Sequence, residues 1–427
     1  MNGMIRAVVA GAGVRGGCYA QFAKLHPDKL KIVGVAEPRA YYREQMAREF
    51  QIPREHVYDC WTKMAAVPKF ADAVFVTTQD RMHVEPAIAF ANKGYHLLLE
   101  KPMAPDIEGC KQITDAALNN DILLCVCHVL RYTEYTQMLK SLLNQGKIGR
   151  IMSIQHLEPV GYWHHAHSYV RGNWSNEKES SNMLLAKSCH DLDWLRYIAE
   201  SRCTKISSFG RLSFFTPENK PKIAGQRCVK CEAESECPYS AVKIYLKRAK
   251  KKQFGWPVNV ITSQLDESGV MDAITNGAYG RCVFDCENDV VDHQVVNMEF
   301  ENGITATFTM TAFTESSHRQ TTIFGTHGQL FCDGNNIRIY NFLTDQTENI
   351  SVNNKESSLN DGHGGGDYNI VKDFVTAIAQ NDPAQICSGA EESLETHLMV
   401  FAAEVSRLND TVEQPINYFL PQWSRTE

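Results

Sequence analysis

Short, fully apolar runs alternate with amphipathic stretches through the first 130 residues. Ile5–Ala10, Leu30–Ala36, Ala73–Thr77, Tyr95–Leu99 and Ile122–Cys127 read as strands buried on both faces. Between them Val14–Leu25, Tyr41–Phe50, Val84–Asn92 and Asp106–Leu118 have helical spacing, and Asp106 is placed to cap the last. Strand and helix in strict alternation predict βαβ units on a parallel sheet. Beyond residue 130 the pattern changes. A helix over Thr133–Asn144 and a strand over Ile151–Leu157 precede a long polar stretch. Closely spaced strands then follow at Val290–Phe300, Ile304–Thr311, Gln320–Phe324, Gln329–Cys332 and Ile337–Tyr340. Turns such as Glu301-Asn302-Gly303 and Asp333-Gly334-Asn335 separate them and predict a mostly antiparallel sheet. Helices over Asp367–Gln380 and Glu391–Leu408 close the pattern. The expected architecture is α/β: a dinucleotide-binding domain over 1–128, then an α+β domain over 129–427 with an irregular insertion near 216–280.

The first strand ends in Gly11-Ala12-Gly13-Val14-Arg15-Gly16, and Glu37 ends the second strand, 21 residues after Gly16. A G-x-G-x-x-G turn between strand and helix, with an acidic residue at that distance, is the context a dinucleotide pyrophosphate requires. Gly11 allows the tight turn, Gly13 lets backbone approach the phosphates, and Gly16 lets helix and strand pack closely. Glu37 would accept from the adenosine ribose and repel a 2′-phosphate, which favours NAD; Arg39 softens that preference and keeps NADP open. Thr77, Thr78 and His83, beyond the third of these strands, join the candidate cofactor contacts, as do Val14, Arg15 and Glu100.

Glu100-Lys101-Pro102 follows another apolar strand, at the sheet edge where ligands of open α/β sheets bind. An amine there is placed to move a proton beside a nicotinamide. A second cluster, Lys187-Ser188-Cys189-His190-Asp191-Leu192-Asp193, puts Lys187, His190 and Asp193 at three-residue spacing, one face of a helix. Lys101, His190 and Lys187 are the catalytic candidates. The donor-rich, aromatic segment His164–Trp174 suits a polyol, which needs directional hydrogen bonds and a flat apolar surface. Its His167, Tyr169, Arg171 and Trp174, with His128, Arg131 and Asp191, form the expected substrate set. Gly362–Asp367 either closes over the cofactor or caps the late helix.

Composition narrows the class. The 427 residues carry a net charge of -7, which argues against a general nucleic-acid binder. The basic run Lys247–Lys252 reads as a solvated face. No stretch approaches 18 apolar residues and no secretory signal pattern is visible, so a cytoplasmic protein without a membrane span is expected. The fourteen cysteines then read as reduced thiols. Cys228, Cys231 and Cys237 contain a single metal-like C-x2-C pair; with Cys282 and Cys286 they leave a zinc reading open, but structural thiols are preferred and no metal is assigned.

The glycine turn, Leu99-Glu100-Lys101-Pro102 and Cys189-His190-Asp191-Leu192-Asp193 together resemble the glucose-fructose oxidoreductase / inositol dehydrogenase / rhizopine-catabolism (Gfo/Idh/MocA) family, over essentially the whole chain. The resemblance implies a Rossmann domain followed by an α/β domain with a large open sheet used for assembly into dimers or tetramers. It also implies hydride transfer between NAD(P) and a sugar, cyclitol or related polyol, with the family lysine at Lys101 and the family histidine at His190. Many dehydrogenases of the family carry an aspartate four residues before that histidine, where this chain has Ala186. That departure keeps two alternatives in view: an NAD-assisted glycoside-cleaving enzyme without net redox change, and a non-catalytic sugar or NAD sensor.

Overall fold

The computed structural model describes residues 3–315, 317–352 and 363–415. Six parallel strands form the first sheet: β1 (Ile5–Ala10), β2 (Leu30–Ala36), β3 (Val57–Tyr58), β4 (Ala73–Val76), β5 (His96–Leu99) and β6 (Leu124–Val126). Their order is β3-β2-β1-β4-β5-β6. The strand order therefore reverses between β1 and β4, and a crevice opens at their carboxyl ends. Gly11, Thr77 and Glu100 all lie at that edge. The helices Val14–Ala20, Ala40–Glu49, Val84–Ala91 and Ile107–Asn119 fall within a few residues of their sequence-predicted positions, and Asp106 caps the last by accepting from Gly109 N at 2.8 Å.

The second sheet has eight strands: β7 (Ile151–Pro159), β8 (Cys203–Arg211), β9 (His293–Phe300), β10 (Thr305–Thr311), β11 (Gln320–Gly325), β12 (Gly328–Cys332), β13 (Asn336–Asn341) and β14 (Gln346–Ser351). The order is β14-β13-β12-β11-β7-β10-β9-β8, and only the β7/β10 pair is parallel. The pattern of apolar residues did not reveal β8 or β14. Both are edge strands: β14, Gln-Thr-Glu-Asn-Ile-Ser, is almost wholly exposed and owes its conformation to pairing with β13. β8 is held between β9 and the helix Ala390–Asn409, whose Ser406 hydroxyl accepts from Ser208 N at 2.9 Å.

Two helices near the end of the described chain pull the halves together. Gly366–Gln380 returns to the first sheet, where Ile370, Val371, Phe374 and Val375 pack with Val9, Phe75 and Leu98 in one buried cluster. Each such side chain contributes about 1.5–3 kcal/mol through burial. This packing brings Asp367, in the first turn of that helix, against the glycine turn. Ala390–Asn409 is buried over most of its length, and its Leu394, Leu398 and Phe401 join a core that runs from the first sheet into the second. The insertion forms a separate cluster: Tyr239, Tyr245, Val270 and Ile274 pack on Ala166, Val170 and Phe215.

Candidate active site

The glycine turn is held by close approach to β4. Gly11 has φ +99°, and a Cβ on it would lie 2.5 Å from Thr77 O. A Cβ on Gly16 would lie 2.1 Å from Gly11 O, so helix and turn meet at a distance only glycine permits. Thr77 Oγ1 donates to Gly11 O at 2.6 Å, which ties the end of β4 to the turn. Gly13 has an extended backbone, and Val14, the next residue, is 69% exposed. The cradle is thus open towards the crevice and closed towards the sheet, and it fits a dinucleotide.

Glu37 is buried at the tip of β2. It accepts from Ala12 N at 2.9 Å and from Arg39 Nε and Nη2 at 2.8 and 3.0 Å. Burial raises its carboxyl, but the Arg39 and Ala12 hydrogen bonds outweigh that and hold it below the usual carboxylate range. His83 is buried between two turns: Nδ1 lies 2.8 Å from Pro102 O and Nε2 3.1 Å from Thr78 O. Thr78 Oγ1 donates to Met82 O at 2.9 Å.

At the end of β5, Glu100 accepts from Tyr19 Oη at 2.7 Å and from Arg15 Nε at 3.4 Å. The same Arg15 guanidinium donates to Asp367 through Nη1 at 3.0 Å and through Nη2. One arginine of the glycine turn therefore joins β5 to the returning helix. Lys101, which precedes a cis peptide bond to Pro102, donates from Nζ to Ala186 O at 2.7 Å.

Ala186 ends the short helix Met183–Ala186, and a new helix runs from Cys189 to Ala199. Lys187 occupies the break between them, so it does not share a helix face with His190 as its spacing predicted. The backbone turns there, and Lys187 Nζ reaches Glu158 Oε1 on β7 at 3.2 Å. Glu158 Oε2 lies 2.9 Å from Arg319 Nη2. Arg319 Nε and Nη2 donate to Asp191, which also accepts from His156 Nε2 at 3.0 Å. Burial pushes the Asp191 carboxyl up, but Arg319 overrides it and holds the group well below its usual range. Lys187, Glu158, Arg319 and Asp191 thus form an alternating ionic chain in the wall of the crevice. Tyr169 is buried near it; burial, then the Glu158 charge, lift its phenol well above the ordinary value.

His190 is buried. Burial lowers its pKa well below the usual value, and Lys101, His128, His363 and Arg319 lower it further, so the ring is neutral near pH 7. Its Nδ1 has no hydrogen-bond partner among the described residues. The ring centroid lies 6.1 Å from those of His128 and His363. His128 is pushed down to about 3 by burial, and neither of its nitrogens has a hydrogen-bond partner among the described residues.

Lys101, His190, Lys187, Asp191 and Tyr169 thus belong to one neighbourhood, and three other expected substrate residues point elsewhere. Arg131 is buried and grips Asp193 through Nε and Nη2 at 2.7 and 2.5 Å, because a buried guanidinium needs a counter-ion. That pairing also turns Asp193 away from His190. His167 Nδ1 lies 2.8 Å from Tyr245 Oη, with its ring stacked on Tyr279. Arg171 donates to Arg281 O and Tyr239 O at 2.8 and 2.9 Å, inside the insertion. Trp174 is 38% exposed, with its ring 6.4 Å from Tyr169. Sequence reasoning missed Glu158 and Arg319, and it named His363 only within the Gly362–Asp367 run, of which Gly362 lies outside the described residues. Glu158 shares inward parity with Ile154 and His156 along β7, a charged residue at a buried strand position, and that was a readable signal. Arg319 precedes β11 in irregular chain and gave none. None of the fourteen cysteines, all of them among the described residues, is in a disulfide; Cys228, Cys231, Cys237 and Cys282 line one cavity in the insertion. Among the described residues, no group of three or more His, Cys, Asp or Glu side chains is arranged to hold a metal ion.

Comparison with known proteins gives two family matches. The oxidoreductase family's NAD-binding Rossmann-fold model (GFO/IDH/MocA) covers residues 5–128, and the model of its C-terminal alpha/beta domain covers residues 140–398. The putative oxidoreductase YteT of Bacillus subtilis (strain 168) is 23% identical over 349 residues, 78% of each chain. The 2,7-anhydro-N-acetylneuraminate hydratase of Escherichia coli (strain K12) is 30% identical over 195 residues, 46% of this chain and 50% of that one. A solved levoglucosan dehydrogenase, in complex with NADH and L-sorbose, superposes with a TM-score of 0.69 at 18% identity and covers 96% of this chain and 99% of its own.

Proposed function

The chain belongs to the GFO/IDH/MocA oxidoreductase family, and on that premise we propose that it moves a hydride between NAD and a hydroxyl- or keto-bearing carbon of a sugar, glycoside or cyclitol. One observation carries the reading: an amine, Lys101, and a neutral imidazole, His190, stand together beside the glycine turn at the carboxyl edge of the parallel sheet. The levoglucosan dehydrogenase and anhydro-N-acetylneuraminate hydratase relatives, whose names are those of sugar enzymes, support the substrate class.

Gly11, Gly13, Val14, Arg15 and Gly16 hold the dinucleotide phosphates, and Glu37 with Arg39 meets the adenosine ribose. Thr77, Thr78, His83 and Glu100 would line the crevice on the nicotinamide side. When bound, the cofactor supplies the hydride acceptor or donor. Lys101 donates to the substrate oxygen and, with His190, takes up or returns its proton. Burial keeps His190 neutral near pH 7, so its ring meets the substrate hydroxyl as an uncharged hydrogen-bond partner. Lys187 and Asp191 in the ionic chain hold other hydroxyls, with Tyr169 against the carbohydrate. NADP is the alternative cofactor, because Arg39 partly offsets the Glu37 charge.

A second reading has support of its own. Ala186 replaces the carboxylate that many family dehydrogenases carry, and one relative is named a hydratase, a reaction without net redox change. NAD-assisted cleavage of a glycoside follows from that pair of facts. One screen separates the readings. The purified protein is incubated with NAD or NADP and a panel of monosaccharides, glycosides and inositols, and absorbance at the NADH band is followed together with free sugar release. NADH accumulating in step with substrate supports the dehydrogenase. Sugar release without NADH supports the lyase. Neither, with tight cofactor binding, would leave a sensor.

The proposal extends to assembly and location. Phe209 and Phe331, on strands of the second sheet, are 61% and 44% exposed, which favours a homodimer or homotetramer built on that sheet. No helix among the described residues is long and apolar enough to cross a membrane, and we place the protein in the cytoplasm without a nucleic-acid partner.

A further inference from the structure

His363 lies just before the helix Gly366–Gln380, and a run of three glycines separates it from Asp367. Gly364 and Gly365 have φ +58° and +86°, and a Cβ on Gly366 would lie 2.4 Å from Val129 O. The chain therefore curls as only glycine allows, and His363 folds back over the first turn of the helix. Its Nδ1 comes within 3.0 Å of Asp367 Oδ2. Asp367 is buried. Burial alone would raise its carboxyl, yet the contacts from His363 and Arg15 hold it well below the usual range, so it is a carboxylate. A carboxylate only accepts, which fixes the hydrogen on Nδ1 and leaves the ring lone pair on Nε2. Arg15 also donates to Asp367 and balances its charge.

The His363 side chain remains about one-third exposed, and its ring centroid is 6.1 Å from that of His190. The contrast between the two rings is informative. His190 Nδ1 has no partner among the described residues to set its tautomer, whereas that of His363 is set by an ionised aspartate. Lys101 is anchored as a donor to a backbone carbonyl, with no carboxylate side chain at position 186 to relay its proton.

We propose that His363, oriented by Asp367, is a catalytic acid–base residue of this active site, a role that rests on the oxidoreductase reading above. In the oxidative direction the substrate O–H bond breaks and its proton goes to His363 Nε2. The freed electron pair becomes the second C–O bond, and the hydrogen on that carbon leaves with its pair to the oxidised nicotinamide. On this proposal Lys101 and His190 keep only the orienting part of the role given them above, holding the oxygen through hydrogen bonds, and the proton itself passes to His363. In the reductive direction His363 returns the proton.

The test uses full-length protein. NADH affinity is measured by fluorescence, NAD reduction is followed with levoglucosan and myo-inositol as probes, and 15N-histidine spectra of the NADH complex report the tautomer. His363→Gln is expected to lower kcat at least 30-fold, with KM within threefold and NADH affinity within twofold; imidazole should restore part of the rate to His363→Ala, which loss of a merely structural residue would not permit. The His363 signals should show hydrogen on Nδ1, and Asp367→Asn should erase that preference. Should His363→Gln keep kcat within threefold while Lys101→Ala loses a hundredfold, the inference falls and the oxidoreductase reading stands. Absence of NADH formation by the wild type on every carbohydrate tried would count against the oxidoreductase reading instead. In that case a hydrogen found on Nε2 of His363 would still overturn the inference, and one found on Nδ1 would uphold the orientation by Asp367.

Discussion

Lys101 Nζ donates to the backbone carbonyl of Ala186 at 2.7 Å, so the amine at the end of β5 is anchored by main chain of the second half. This contact crosses the crevice between the two sheets and fixes where the amine can meet a substrate. Lys101→Ala should lower turnover at least about a hundredfold, the usual weight of a positioned proton-transfer group, while NADH still binds. Stopped-flow turnover and NADH fluorescence on the same preparation check it. A near-normal rate would remove Lys101 from the chemistry.

Cofactor choice should respond to the clasp at the tip of β2. Glu37 accepts two hydrogen bonds from the Arg39 side chain and one from the Ala12 amide. Glu37→Ser removes the charge that repels a 2′-phosphate and frees Arg39 to meet it. The ratio of NADPH to NADH affinity should rise at least about tenfold, equivalent to about 1.4 kcal/mol. Titration of both reduced cofactors gives the ratio, and an unchanged ratio would show that Glu37 does not read the ribose.

Arg131 was expected at the substrate, and the geometry gives it a different part. Its guanidinium is buried against Asp193, which accepts further from Thr396 Oγ1 at 3.0 Å. Arg131→Met leaves that carboxylate without its main counter-ion and should cost about 3–5 kcal/mol of stability. Chemical denaturation measures the loss. A substrate role would instead appear as a raised KM in a protein of normal stability.

Acid should destabilise the protein through its buried histidines. Burial pushes His165 down to about 4, and neither ring nitrogen has a hydrogen-bond partner among the described residues. The folded state keeps it neutral, whereas the unfolded chain takes up a proton near pH 6.5. Its contribution is therefore complete above about pH 6.5 and is lost as pH falls from there towards about 4. His165→Phe, which preserves the stack on Phe215, should remove about 2 kcal/mol of the stability lost between pH 7 and 5. Denaturant midpoints at several pH values provide the comparison; parallel curves for variant and wild type would refute it.

Much of the first half could be read directly from the chain. β1, β2, β4 and β5 and their helices follow from apolar runs and helical spacing, and Gly11, Gly16 and Glu37 from one motif whose parts lie within 27 residues. Such patterns survive without tertiary information because burial on both faces of a parallel sheet leaves no polar position to blur them. In the second half, β9 to β13 were visible through alternation and turns, whereas β8 and β14 are edge strands whose composition carries little of either signal.

Sequence alone determined the alternating fold of the first half, the glycine turn and the placing of Lys101 at a strand end, since each rests on neighbours along the chain. The tertiary structure alone decided that Gly366–Gln380 returns to the first sheet and sets Asp367 on Arg15, two residues 352 positions apart. It also decided that Glu158, Arg319 and Asp191 share one ionic chain, that Lys187 turns into it, and that Arg131 closes on Asp193. Buried charges must find counter-ions wherever the packing of helices and sheets happens to bring them, and no local pattern encodes that choice.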